Sequence, residues 1–553
     1  MSVIGAYARA RAAAAGIAQP VASVRHLWLG EAPLVIVPLA MAGEANAPLA
    51  AMAGTAEDRP MLLVVPQPRD RSRRFRFADE LARVVLAEVE RCARAGSEPV
   101  RPPRAAKAPA PPGPALAAPG TAAPDDGGQA AAAAAAGELA EATRFLDAPQ
   151  VLVPNRAGIE FVRLFGRSTR FRSTVGEYAV PVAVPLLGRW LTFLAQRSEH
   201  PGSAALVAMT EALAAHWATG QSALEDANLA ALMAWIDPPA GLSGPAAARL
   251  AEDPARCPPA GPTTDPVFDA HVLAPAIRAY DEAVAAATGS AAAMGGDAAA
   301  LAASPAVAAA EAEIAKALHG QLIPTWRLMW RAVDLLRALP PGASVSRRWA
   351  QDRARFSSYH AYLAAEGGGL PQARRDGAVA AARRLAVLER ELASYEADQA
   401  FDDPLVLANQ RVTGEAFAGL VVRTEPDRRI ANRKGTLVTR PLVDLMTTDP
   451  VRLAVGVEVE SPARRGQLGE IVELRPAADG LLVTLQLRGG MGRSRTPPPG
   501  TVPEPGETLS YTSLLADSMF SAALPAPEDT PWTHGGPPRD YEPDGDDAHE
   551  PWE

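Results

Sequence analysis

Residues 466–488 read GQLGEIVELRPAADGLLVTLQLR, and their apolar positions recur with a period of two. Gly466 and Gly469 punctuate a turn, 471–474 is a short mostly apolar run, and Ala478-Asp479-Gly480 leads into 481–487. There Val483, Leu485 and Leu487 alternate with Thr484 and Gln486, the pattern of a strand with one buried face. The stretch predicts a strand, a tight turn and a second strand. Outward from it, 418–422, 436–438, 453–459 and 508–514 read as further short strands between glycine and proline turns. Five or six such strands predict a small, closed or partly closed β-barrel over 404–520.

Upstream the period changes. Leu187, Trp190, Leu191 and Leu194 recur at helical spacing, as do Trp326, Met329, Trp330, Val333 and Leu336. Residues 205–218 and 267–286 read as helices. Ser222 with Glu225 three residues on is a capping box. A leucine stripe through Leu385, Leu388, Leu392 and Tyr395 closes a mostly helical region, 138–403. Nearer the start, the apolar runs 34–39 and 61–65, the alternating Phe75-Arg76-Phe77 and a following helix suggest a small α/β unit over 1–96. Residues 97–137, rich in proline and alanine, read as a disordered linker, and 521–553 as a disordered acidic tail. The fold class expected is multidomain α+β: a small N-terminal α/β module, a central mostly helical domain and a C-terminal small β-barrel.

The chain has 553 residues, enough for about two to four domains. Of its 54 basic residues only Lys107, Lys316 and Lys434 are lysine, a bias that discounts arginine counts as functional evidence. The net charge of -9 argues against nucleic-acid binding by the whole surface and leaves local patches open. Cys92 and Cys257, the only cysteines, form no metal-binding spacing and no disulfide framework. No apolar stretch near the start is long enough to span a bilayer or serve as a signal peptide. The expectation is a cytoplasmic protein with no cofactor, no bound metal and no membrane contact.

No Walker loop, GxGxxG turn, HExxH, GxSxG elbow or paired-cysteine motif occurs. The nearest enzymatic constellation is His216 with Glu225, Asp226 and Asp237, an imidazole and carboxylates suited to proton transfer if they converge. Basic residues offer more. Arg163, Arg167, Arg170 and Arg172 interleave with Phe161, Phe165 and Phe171, so guanidiniums would meet phosphates while rings stack on bases. Four arginines in 70–76 would contact an acidic partner, or else line a solvated hairpin edge. Arg464 and Arg465 precede the central hairpin and Arg488, Arg493 and Arg495 follow it, in glycine-bearing loops that would grip a phosphate backbone.

The run Gly466-Gln467-Leu468-Gly469-Glu470-Ile471-Val472 and its hairpin resemble the small barrel modules of the KOW and SH3-like type. The resemblance covers the hairpin alone and implies docking of nucleic acid or protein. The expected function is a non-enzymatic accessory or scaffold protein that docks a nucleic acid or a nucleic-acid-processing protein partner. The acidic tail would shield the basic barrel loops. The alternative is a hydrolase or nuclease without a familiar motif, using the histidine and carboxylates of the helical region.

Overall fold

The computed structural model describes residues 3–44, 47–99, 144–293, 304–365, 378–431, 435–492 and 496–515. Helix α1 (Val3–Ala15) precedes strand β1 (Leu34–Ala40), every residue of which is buried. A continuous apolar run of this kind belongs to a strand covered on both faces. Antiparallel β2 (Pro48–Gly54) and β3 (Met61–Val64) follow, then the long helix α2 (Arg71–Arg94). The sheet is completed from beyond residue 143. Strand β4 (Val151–Val153) lies parallel to β1, and after helices α3 (Arg156–Thr169) and α4 (Ala183–Arg197), β5 (Leu206–Ala208) lies parallel to β4. The order is β3-β2-β1-β4-β5.

Alternation along β1 separates two cores. Leu34 and Ile36 face Phe77, Leu81 and Val85 of α2, Ile159 and Val162 of α3, and Leu187 and Leu191 of α4. Val35, Val37 and Leu39 face the opposite layer, formed by α5 (Leu229–Ile236), α6 (Ala274–Ala293) and α7 (Pro305–Arg337). Trp326 of α7 is fully buried there and donates its indole N–H to the Glu57 carbonyl at 3.0 Å. Helix α8 (Val345–Ala364) packs Trp349 and Phe356 beside Trp190, and α9 (Ala378–Asp402) and α10 (Pro404–Thr413) lead to the last region.

That region contains β6 (Ala416–Glu425), β7 (Leu442–Thr447), β8 (Glu458–Glu460), β9 (Leu468–Ala477), β10 (Gly480–Leu487) and β11 (Thr508–Thr512). They close on themselves in the order β6-β7-β10-β9-β8-β11. Phe417, Val443, Leu445, Ile471, Val483, Leu485 and Tyr511 fill the interior. On one side β11 pairs with β6 along its whole length; on the other, only Glu460 and Thr512 join β8 to β11.

The chain is a multidomain α+β protein with a helical domain, and the expected fold class is corrected in its parts. Residues 34–64 do not form a self-contained module, because β4 and β5 extend their sheet and α7 covers its far face. Strand formation is also misplaced by the sequence reading. Leu437–Thr439 pairs with Arg429–Ala431 in a separate ribbon, and 453–457 is not a strand. Closure is confined to β6–β11: the two-stranded sheet of Ser97–Glu98 and Arg144–Phe145 does not close into a barrel. Residues 75–77 are helical because Asp70 caps α2, accepting from the Arg73 N–H at 3.0 Å, and because Phe77, Leu81 and Val85 then fall on one face. Residues 205–218 divide into β5, a short helix Met209–Ala214 and Trp217–Ala218, which pairs with Gln19–Pro20. Residues 100–137 of the expected linker and the whole expected tail lie outside the described residues.

Among the described residues no helix is long and apolar enough to cross a membrane.

Candidate functional site

The start of α2 is electrostatically unusual. Its first turn holds no acid, while Arg71, Arg73, Arg74 and Arg76 crowd an end that already carries the positive pole of the helix. Arg73 lies 3.8 Å from Glu311, and Arg76 pairs with Glu80 at 3.1 Å. Arg71 and Arg74 turn elsewhere, toward the last turns of α3. There they line a cavity of about 430 Å³ with Phe75, Phe161, Phe165, Ser168 and Arg172, and with no acidic side chain among its lining residues. That volume falls in the usual range of small-ligand pockets, about 300–1,000 Å³.

Aromatic faces hold the guanidiniums in place. Arg71 sits 4.8 Å from the Phe75 ring centre and 5.5 Å from that of Tyr178, and donates to the Tyr178 carbonyl at 2.7 Å. Arg172 approaches Phe75 at 5.7 Å and donates to the Ser168 carbonyl at 3.0 Å. Burial holds the Arg172 pKa below the usual arginine value, and the charges of Arg71 and Arg74 push it further down. The Arg74 guanidinium makes no ion pair or side-chain hydrogen bond among the described residues. Three like charges against low-dielectric walls favour an anion between them.

The floor depends on close helix packing. Phe161 and Phe165 stack at 5.7 Å, and Phe165 meets Phe77 edge-on at 5.8 Å. Helix α4 approaches α3 so nearly that a Cβ at Gly188 would lie 2.3 Å from the Arg170 backbone nitrogen. One at Gly166 would lie 2.9 Å from that of Thr192. Only glycine permits this approach, and it sets where Ser168–Arg172 emerge beside α2. An exposed apolar rim follows, with Phe171, Val175, Tyr178 and Val182 open to solvent.

The expected site residues are distributed otherwise than the sequence suggested. Arg172 lines this pocket, whereas Arg163, Arg167 and Arg170 line a separate, smaller cavity of about 210 Å³. Arg163 is 3.3 Å from Glu199 and 3.7 Å from Glu160. Of the arginines expected to grip phosphate around the closed sheet, the three that are described each meet a carboxylate: Arg464 pairs with Glu507 at 2.8 Å, Arg465 with Asp402 at 2.6 Å and Arg488 with Glu458 at 2.5 Å. Arg493 and Arg495 lie outside the described residues.

The histidine and carboxylates do not assemble. Glu225 and Ser222 form the expected capping box, through Ser222 N–H to Glu225 Oε2 at 2.6 Å and Glu225 N–H to Ser222 Oγ at 3.3 Å. Asp226 accepts from Arg9, Thr219 and Gln221, and Asp237 pairs with Arg331 at 2.7 Å. His216 is buried against His26. Among the described residues no group of three His, Cys, Asp or Glu side chains is placed to hold a metal.

Sequence reasoning missed a second polar region, a buried seam that ties the N-terminal segment to α8 and α9. Arg348 donates to Asp398 at 3.1 Å and to the His26 carbonyl at 2.6 Å. Asp403 accepts from the Ser23 N–H and hydroxyl, both at 2.7 Å, and from the Leu405 N–H at 2.9 Å, and lies 3.2 Å from His26 Nε2. Although burial alone would raise its pKa, those donors hold the Asp403 carboxyl far below the ordinary carboxylate range. Asp352 accepts from Arg197 and Ser203, each at 2.8 Å. Donors surround each of these carboxylates, so the seam acts as a fastening. The pocket of α2 and α3 is therefore the candidate site. No protein-family model, curated protein or solved structure matches this chain.

Proposed function

We propose that this chain is a non-enzymatic docking protein for nucleic acid, and that it holds single strands at the pocket between α2 and α3. The observation that carries the reading is the gathering of Arg71, Arg74 and Arg172 around the Phe75 face, without a lining carboxylate. Guanidiniums match phosphate oxygens in geometry and charge, and an exposed aromatic face stacks on an unpaired base of any identity. A duplex presents its bases edge-on and cannot use the ring.

The test is fluorescence anisotropy with a labelled 20-nucleotide single strand and the corresponding duplex, at several salt concentrations. The single strand is expected to bind more tightly. Arg74→Gln and Arg172→Gln are each expected to lower the slope of log K against log salt by about 0.7. Phe75→Ala is expected to weaken single-strand binding by about 1–3 kcal/mol and leave duplex binding nearly unchanged. Absence of single-strand binding at low salt, or binding indifferent to all three substitutions, would overturn the reading.

A further inference from the structure

The pocket's chemistry is complementary to a segment of the same chain. Beyond Leu515, the last described residue, residues 524–553 carry nine acids against the single basic Arg539. Twice in that segment an aromatic ring stands between carboxylates, in Asp540-Tyr541-Glu542 and in Glu550-Pro551-Trp552-Glu553. Each sequence offers what a nucleotide offers, a flat ring with negative charge beside it. Arg464, Arg465 and Arg488 at the closed sheet already meet Glu507, Asp402 and Glu458, and so compete poorly for those acids. Arg71, Arg74 and Arg172 line their pocket with no acid among its lining residues, next to an exposed apolar rim.

Reach does not limit the contact. Residues 516–553 span up to about 125 Å when extended, against a radius of gyration of about 23 Å for a compact chain of this size. We propose that the acidic segment within 524–553 docks in the Arg71–Arg74–Arg172 pocket of its own chain, so that nucleic acid must displace it. This inference shares the pocket with the function proposed above, and its first test does not depend on that function.

The first test uses the full chain with Asp540, Asp544, Asp546 and Asp547 changed to Asn and Glu542, Glu550 and Glu553 changed to Gln. A fluorescein-labelled peptide of residues 516–553 is expected to bind this variant at low salt. Binding is expected to be lost at 0.5 M salt, about where the Debye length falls toward 3 Å, and lost when Arg74→Glu is added. A peptide that does not bind, or that binds equally well with Arg74→Glu, overturns the inference whatever nucleic acid does.

The second test compares the unmodified chain with the neutralised one against the labelled single strand. If the segment fills the pocket about 90% of the time, neutralisation tightens apparent binding about tenfold. Equal affinities overturn the inference, while binding by neither chain overturns the proposed function alone. Dimerisation that rises with protein concentration and vanishes on neutralisation would show the segment docking on a second copy, and would overturn the same-chain contact.

Discussion

The backbone N–H of His26 donates to Nε2 of His216 at 3.0 Å, and the two imidazoles stack at 5.6 Å. Nδ1 of His216 lies 2.6 Å from the Ala212 carbonyl, to which it can only donate. The ring is therefore held as the neutral Nδ1–H tautomer, because a second proton would fall on the nitrogen that already accepts. Burial lowers the His216 pKa to about 4, outweighing the Ala212 carbonyl and Asp403, which raise it.

Stability is accordingly expected to fall as pH drops from about 6.5 toward 4. Across that window the unfolded chain takes up a proton at His216 and the folded chain does not, so the stabilisation is complete above 6.5 and is lost on the way down. The full window corresponds to about 3 kcal/mol. Urea unfolding at pH 7.5, 5.5 and 4.5 measures it, and His216→Gln is expected to flatten the dependence. The loss that belongs to Asp403 starts only as pH falls through the ordinary aspartate value near 3.8 and continues below it, since its folded pKa is lowered, and is separable.

Asp398→Ala is expected to destabilise the protein by about 3–5 kcal/mol, because it leaves Arg348 buried beside an empty position. Chemical unfolding of the single variants and of Asp398→Ala with Arg348→Met gives the coupling. The double variant is expected to be more stable than Asp398→Ala alone.

Gly188→Ala is expected to cost about 1–3 kcal/mol and to weaken oligonucleotide binding, since the new methyl would push the Arg170 backbone, and Arg172 with it, away from α2. Gly320→Ala is the control. It lies within α7, where a Cβ meets nothing within 4 Å, and is expected to raise stability by about 0.5–1 kcal/mol without touching binding. Melting temperature and anisotropy read both variants.

Val483→Asp places a charge in the fully buried interior of the closed sheet. Hydrogen exchange is expected to accelerate across β6 to β11 while β1 and β4, in a separate core, keep their protection.

The β9–β10 hairpin was legible because one face is apolar and one polar, so Val483, Leu485 and Leu487 declare their direction by alternation. Strand β7 was not read, although Val443 and Leu445 are buried, because Pro441 and Asp444 interrupt a short apolar run. The join between β1 and β4 left no local sign. Two all-apolar strands say that both faces are covered and do not say by what. The pocket was half legible. Both arginine clusters stood out, but Asp70 as an N-cap was passed over, and an alternating reading of 75–77 took Phe75 and Arg74 for a hairpin edge. That α2 would bring one cluster to the other depends on Gly166 and Gly188, whose role appears only when two helices are placed together.

Because β1 pairs with β4, the hydrogen bonds of the five-stranded sheet join strands that lie before and after residues 100–143. Covalent continuity through 100–143 is thus not what holds β1 beside β4. Two separately synthesised polypeptides, 1–99 and 144–553, have between them every described strand of the sheet and the described residues of both of its cores, and are expected to reassemble by complementation. The fold could accordingly carry an inserted sequence of any length at that point, or be opened there to give new termini.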